Sequence, residues 1–492
     1  MHTHTTNPTE TPTDSGSARV RPIYVGGRWV DTGTPLEVSR PGEPGRLVAV
    51  TCCAGAEQVE EAVQAAIAAE PLLAAMPAFE RANALRAIAS GINAQADELA
   101  RLIAEEAGKP IRDAATEVQR SALTFRIAAE EAERMSGEVI PLDVNAASTG
   151  RLGIVRRFPL GAVAGITPFN LPLSLAAHKV APAIAAGCPI VLKPASETPL
   201  TMLAVAEILA TTGLPAGTLS VLPMTVEVGD SLVTDERFKL LSFTGSPGAG
   251  WPMKHRAGKK KVVLELGGNA AAIVDASADV ARAAQRCVPG AYKYAGQLCV
   301  SVQRLFVHAS VWEEFTERFV EAAQALRLGD PLDEETDVGP MINRAAVERT
   351  RSWVGRAVEQ GAQVLCGGEA SGPYFQPTLL SGVPRSSPLC SEEAFAPVAI
   401  ASPFDDFTQA IAAVNDSRFG LQAGVFTNDL AHAWQSYNQL QVGSVIVNDS
   451  PAYRVDHMPY GGVKDSGQGR EGVRWAMEAM TEPRMMVMVD AQ

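Results

Sequence analysis

The sequence predicts an α/β protein with two doubly wound parallel-sheet domains. Three observations point there. From residue 151, short apolar runs bounded by Pro, Asn and Lys alternate with helical patterns, the order of β-α-β units. The alternation stops near Gly267 and resumes as a second set, which places a cleft between two sheets. With 492 residues, 46% of them apolar and 20% charged, the chain can bury cores of that size.

Residues 1–18 are polar and rich in Thr and Pro, the composition of a disordered tail in which His2 and His4 are solvated. Apolar residues recurring at three and four predict helices over 56–70 and 92–107. Runs 161–166 and 189–192 read as buried strands. A helix over 200–211 follows, with Ser196 or Thr198 to cap it and Pro199 near its first turn. Strands at 219–222 and 240–244 around a helix near 226–233 complete the first unit. The second unit has strands at 304–307, 399–401, 422–426 and 444–447 and helices over 311–326 and 345–360. No internal repeat relates the two sets.

Composition narrows the function classes. Lys and Arg total 42 against 55 Asp and Glu, a formal charge of −13, which argues against nucleic acid or an anionic membrane as the main partner. The longest near-continuous apolar stretch, 180–192, is too short to span a bilayer and contains Pro182 and Pro189. No apolar signal core follows Met1, so the expected compartment is the cytoplasm. The seven cysteines lack zinc-site spacing, and no metal site is expected. Either all seven are small buried residues or one is reactive.

A dinucleotide-type pattern at Gly467-Gln-Gly469-Arg-Glu-Gly472 lacks the strand and β-α-β unit it needs, and reads as a turn into the last helix. Phe243-Thr-Gly-Ser-Pro-Gly-Ala-Gly250 follows a strand and opens a helix. There Gly245, Ser246 and Gly250 make either a pyrophosphate site or a plain β-α turn. Lys193 ends a buried strand, where open α/β sheets bind ligands. The basic run from Lys254 to Lys261 suits a helix C-terminus better than a nucleic-acid patch.

Three residues together offer covalent chemistry. Cys299 lies in a loop, Gly296-Gln-Leu-Cys-Val; alone it would read as a buried structural cysteine. Glu265 interrupts the apolar strand Val262-Val-Leu-Glu-Leu266, where a carboxylate is costly unless paired or used. Asn170 follows another strand and offers an amide N–H. A thiol nucleophile, a desolvated carboxylate and an oxyanion donor are what acyl chemistry on a carbonyl requires. His178, His255, His308, His432 and His457 are scattered and read as structural.

In order and spacing these motifs resemble the aldehyde dehydrogenase superfamily, from about residue 20 to the end. Ile166-Thr-Pro-Phe-Asn170 is similar to the oxyanion-asparagine segment, and Lys193-Pro-Ala to the ribose-binding lysine segment. Leu264-Glu-Leu-Gly-Gly268 resembles the general-base motif, and Gly296-Gln-Leu-Cys299 the nucleophile motif. Glu392-Glu-Ala-Phe-Ala-Pro397 resembles the nicotinamide-ribose segment, and Pro459-Tyr-Gly-Gly-Val-Lys464-Asp-Ser-Gly467 the family's late loop. The resemblance implies a Rossmann-like NAD(P)-binding domain over 19–136 and 159–267 and a catalytic domain over 268–465. A small β oligomerisation element over 137–158 and 466–492 would make a homodimer or homotetramer.

What the resemblance implies chemically is oxidation of an aldehyde to an acid with NAD or NADP. Cys299 attacks, Asn170 and the Cys299 N–H hold the oxyanion, and Glu265 activates water against the thioester. Ile166, Thr167, Pro168, Lys193, Ser196, Gly245, Ser246, Gly250, Leu266, Gly267, Glu393 and Phe395 would bind the cofactor. Ser196 stands where a ribose-binding glutamate is common, which opens the site to NADP. Phe169 and Ala396 replace the usual tryptophan and glycine. Arg120 and Arg454 are candidates for holding a distal anion, with surface arginines the alternative; Leu171 and Leu298 make the space beside the aldehyde apolar. The rival readings are a CoA-acylating semialdehyde dehydrogenase and a retired enzyme serving as a binding protein.

Overall fold

The computed structural model describes residues 20–43 and 45–489. The expected tail over 1–18 lies outside them. Two sheets form the frame, as expected, each with a parallel core.

The first sheet is centred on β1 (Val163–Ile166), β2 (Ile190–Lys193), β3 (Leu219–Val221), β4 (Leu240–Thr244) and β5 (Lys261–Glu265). These five run parallel in the spatial order β3-β2-β1-β4-β5, so the direction of winding reverses between β1 and β4. Covered by helices on both faces, they are almost wholly buried, which is why they read as continuous apolar runs rather than alternating ones. The edges depart from the all-parallel expectation. Ile23–Val25 and Arg28–Val30 extend the β3 side antiparallel, and Gly467–Gln468 closes the β5 side antiparallel.

The second sheet holds β6 (Ala270–Val274), β7 (Val302–His308), β8 (Thr378–Ser381), β9 (Val398–Phe404), β10 (Gln422–Phe426) and β11 (Ser444–Val447). Their order is β8-β9-β7-β6-β10-β11, all parallel, with Gln363–Cys366 antiparallel outside β8. The central strand β6 was hidden in the sequence. It starts only five residues after β5 ends, so no helical interval announces it.

Three local readings change. The predicted helix over 92–107 is two helices, Ala78–Ala94 and Ala96–Ala107, broken at Gln95; Asp97 and Glu98 in the new first turn favour a fresh start there. The helix Ala56–Ala75 continues through Pro71 past its expected end. Neither Ser196 nor Thr198 caps the helix Leu200–Ala210. Its first N–H groups, from Leu200 and Thr201, donate instead to the buried Glu106 carboxylate at 2.8 and 3.0 Å, a long-range cap that no local pattern carries.

Glu138–Pro141, Arg151–Pro159 and Thr481–Val489 form a separate three-stranded antiparallel sheet. The intervening residues 466–480 do not belong to it, contrary to the expectation that put 466–492 in one element. Gly467–Gln468 pairs with β5, and the helix Val473–Ala479 packs Val473 and Met477 into the core of the first domain. Among the described residues, no single helix is long and apolar enough to cross a membrane.

Candidate active site

The site is a cleft between the C-terminal edge of the first sheet and the N-terminal edge of the second, joined by Leu266–Asn269. Glu265 is the last residue of β5 and Cys299 lies three residues before β7. Gly268 brings the two together: a Cβ there would stand 2.3 Å from the Cys299 carbonyl oxygen. Only a hydrogen fits.

The loop that carries Cys299 is tightly formed. Tyr294, Ala295 and Gly296 all adopt left-handed backbone, with φ of 51°, 52° and 67°, a cost that non-glycine residues bear only when packing enforces it. The buried Tyr294 supplies that packing; its hydroxyl donates to the Ala107 carbonyl at 2.6 Å and Lys109 sits 4.7 Å from its ring centre. Gln297, fully buried, accepts from the Ile342 N–H at 2.9 Å, and its carbonyl accepts from Asn170 Nδ2 at 2.9 Å. Asn170, 3% exposed, therefore spends one amide hydrogen on holding the nucleophile loop and keeps the other.

Cys299 Sγ lies 3.1 Å from the Tyr460 hydroxyl and keeps part of its surface open to the cleft. Burial pushes its thiol up to about 12; the Tyr460 hydrogen bond opposes this, while Glu393 and Glu265 add to it. All seven cysteines are free thiols, and Cys52, Cys188, Cys287 and Cys366 are sealed in the core.

Glu265 is 3% exposed, and neither carboxyl oxygen has a hydrogen-bond partner. Burial, then repulsion from Glu471, drives its pKa well above the usual carboxylate range. Glu471 is opposite in character. Lys179 Nζ at 3.1 Å and Arg454 Nη2 at 3.2 Å hold it down to about 2 against its own burial. No sequence pattern marks Glu471, Lys179 or Tyr460 as functional: Tyr460 lies in the late loop and Glu471 in the turn into the last helix, and Lys179 is a cation beside an apolar run, the one local signal available.

The expected cofactor residues gather on adjacent strand ends. Ile166 ends β1 and Thr167 and Pro168 follow it, Lys193 ends β2 and Ser196 lies three residues on, Gly245, Ser246 and Gly250 follow β4, and Leu266 and Gly267 follow β5. That edge includes the β1–β4 reversal, where open α/β sheets take ligands. Pro247, which has no N–H, is the first residue of the helix Pro247–Arg256; the Ala249 and Gly250 N–H groups donate to the Ser246 carbonyl at 3.1 and 2.9 Å, so in this first turn it is the Gly248 N–H that can meet an anion. A Cβ at Gly250 would meet Leu266 Cδ2 at 2.5 Å, so any larger residue there must displace that leucine side chain. Gly229 leaves space for the stem of Lys193, whose ammonium is lowered by burial.

Glu393 and Phe395 reach the same cleft from the second domain. Glu393 accepts from the Gly268 N–H at 3.1 Å, and burial pushes it up to about 7. Gln303 and Asn269 both donate to the Glu392 carbonyl at 2.8 Å, clamping this loop. Phe395, with φ of 47°, meets Phe169 edge-on at 5.8 Å.

Arg120 and Arg454 come together, but neither is a surface residue free of partners. Arg120 Nη2 donates to Asp456 Oδ1 at 2.7 Å, and His178 Nε2 lies 3.2 Å from the same oxygen. Arg454 is 10% exposed, stacks 3.8 Å over the Tyr460 ring and leaves its buried Nε without a partner. His178 is thus structural in part, as read, yet it belongs to this cluster. Leu171 and Leu298 are half-buried beside Asn170 and Cys299.

Comparisons with known proteins place the chain in a family. The family model for the aldehyde dehydrogenase family matches residues 29–486. The 3-sulfolactaldehyde dehydrogenase of Priestia aryabhattai is 42% identical, over 95% of this chain and 97% of its own. The crystal structure of aldehyde dehydrogenase 21 from Physcomitrella patens, in complex with the reaction product succinate, superposes with a TM-score of 0.94 at 44% identity, covering 96% of this chain and 99% of that one. Glyceraldehyde-3-phosphate dehydrogenase from Methanocaldococcus jannaschii, complexed with NADP, gives 0.88 at 38%, covering 92% and 99%. This chain belongs to the aldehyde dehydrogenase family.

Proposed function

We propose that the protein oxidises a small aldehyde bearing a distal anionic group to the carboxylic acid, with NAD or NADP. The observation that carries the reading is the meeting of a cleft thiol, Cys299, with a buried carboxyl, Glu265, whose two oxygens have no protein partner.

The thiol reacts as its thiolate, the proton passing to water in the cleft, and Tyr460 holds the sulfur in place. Attack by sulfur on the aldehyde carbon makes a thiohemiacetal. Its oxyanion is held by the spare Asn170 amide hydrogen and the Cys299 N–H. A bound nicotinamide cofactor supplies the acceptor for the hydride that leaves this carbon, and a thioester on Cys299 remains. The Gly248 N–H after Ser246, with Lys193, would hold its phosphates and ribose, and Glu393 and Phe395 its other end. Glu265 in its ionised form takes a proton from water as that water attacks the thioester; the C–S bond breaks, the acid leaves, and the departing Cys299 thiolate takes up a proton to restore the thiol. A carboxylate placed for water activation favours hydrolysis over transfer to CoA.

Arg454 and Arg120 support the anionic substrate. A buried guanidinium N–H with no acceptor, at Arg454 Nε, is costly until an anion fills it. The relatives named above act on or hold a sulfonate, a carboxylate and a phosphate, each a small molecule with an anionic end. Oligomerisation is assigned to the three-stranded sheet, which exposes Val139, Met486, Val487 and Val489. Light scattering tests that assignment; a monomer would overturn it.

The activity is tested with succinic semialdehyde and propanal and each cofactor. Cys299→Ala should lose NAD(P)H formation by about three orders of magnitude or more while melting normally. Retained activity would overturn the reading, and equal use of propanal would overturn its anionic part.

A further inference from the structure

The anion pocket contains more charge than two arginines. Asp456 is buried between two elements: it binds Arg120 of the helix Ile111–Arg134 through both oxygens and His178 of the helix Ser174–Ala186 through one. These partners outweigh its burial and hold its carboxyl well below the usual range, so it is an anion at every working pH. Arg454 feels the same Asp456 charge and is bonded to Glu471, which Lys179 also binds. His178 is kept neutral by burial and by Arg454. Burial and the Glu471 charge push Glu265 towards its protonated form, the form it has before thioester hydrolysis, and the Lys109–Glu117 pair one turn below Arg120 is neutral as a unit. While Glu265 is protonated, Arg120, Arg454 and Lys179 face Asp456 and Glu471, which leaves one positive charge unmatched.

We infer that Asp456 is a specificity-determining residue: by neutralising Arg120 it sets the pocket to accept one negative charge. Carboxylate- and sulfonate-bearing aldehydes are then preferred over phosphate esters. A monoanion closes the pocket to neutrality. A dianion leaves a buried negative charge beside Asp456 and Glu471, a cost that neither arginine can offset. Because Asp456 is fixed by two helices, it cannot swing away to relieve the repulsion. This inference rests on the anionic-substrate reading above and names the class of anion.

The test compares succinic semialdehyde, glyceraldehyde 3-phosphate and propanal on wild type, Asp456→Asn and Asp456→Glu. Wild type should favour succinic semialdehyde over glyceraldehyde 3-phosphate in kcat/KM. Asp456→Asn should lower that ratio about tenfold or more, and Asp456→Glu, which keeps the charge, should restore it. An unchanged ratio in a folded Asp456→Asn, or a wild type that prefers the phosphate ester, overturns the inference. A second measurement needs no variant. The phosphate ester loses one charge below its second pKa of about 6, so between about pH 8 and pH 5.5 its kcat/KM relative to succinic semialdehyde should rise in wild type. A fall or no change overturns the inference equally. If wild type uses propanal as well as succinic semialdehyde, it is the anionic-substrate reading that fails instead.

Discussion

Glu265 and Glu471, both buried, repel one another, and their surroundings push the two carboxyls in opposite directions. Glu471 has Lys179 and Arg454 and stays ionised; Glu265 has no hydrogen-bond partner and holds its proton far above the ordinary range. One site thus keeps a permanent anion next to a carboxyl that ionises only when asked to act as a base, the separation of environments that assigns acid–base roles.

Replacing Glu471 with Gln should move the alkaline rise of kcat to lower pH. The rise follows ionisation of Glu265. Loss of the Glu471 charge removes one cause that raises its pKa, and frees Lys179 and Arg454, which lower it. Both changes have the same sign. A kcat–pH profile of the variant, measured where thioester hydrolysis limits turnover, checks this; a shift to higher pH would refute it.

Glu265→Gln should be inactive in turnover yet more stable than wild type at neutral and alkaline pH. The native state keeps the Glu265 proton above the value of 4.5 at which a free glutamate loses it. The native state therefore binds more protons than the unfolded one, and stability falls as pH rises through that window. Glutamine does not titrate. The variant's advantage in Tm should be small near pH 4 and grow towards about pH 8. A constant difference across that range would show that Glu265 is ionised in the native protein.

The residues that do covalent chemistry were legible because each violates its surroundings: a carboxyl ending an apolar strand, a thiol in a glycine-flanked loop, an amide after a buried strand. Their supports were not. Asp456, Glu117 and Glu106 are ordinary acids on or near ordinary elements, and only the fold brings them to Arg120, to Lys109 and to the first turn of a helix 94 residues away. The parallel strands announced themselves by being buried on both faces. The antiparallel edge Gly467–Gln468 did not, because two residues carry no period, and β6 did not, because no helix separates it from β5.

Glu117 illustrates such a support and allows a third prediction. One oxygen accepts from the Leu173 and Ser174 N–H groups at 3.0 and 3.1 Å, capping the helix that follows Asn170. The other binds Lys109, which packs on Tyr294 behind the Cys299 loop. The pair therefore braces both walls of the oxyanion site. Glu117→Ala strands the Lys109 charge in the interior and should cost about 3–5 kcal/mol. The double variant Lys109→Met/Glu117→Gln should lose clearly less, because no unpaired charge remains. Denaturant unfolding of Glu117→Ala and of the double variant measures this. If the brace also positions the oxyanion donors, kcat for the double variant falls while KM for succinic semialdehyde holds.

Cofactor choice turns on Ser196, three residues beyond Lys193 and half-buried at the end of β2. A hydroxyl there neither repels a 2′-phosphate nor binds both ribose hydroxyls as a carboxylate does, while the Lys193 ammonium favours added negative charge. NADP should therefore be used at least as well as NAD by wild type. Ser196→Glu places a carboxylate beside the ribose and should raise the kcat/KM ratio of NAD over NADP by about tenfold or more, mainly through KM for NADP. Steady-state kinetics with both cofactors at saturating succinic semialdehyde decide it. An unchanged ratio would mean that the 2′-phosphate points away from β2, and that Lys193 meets the cofactor at some other group.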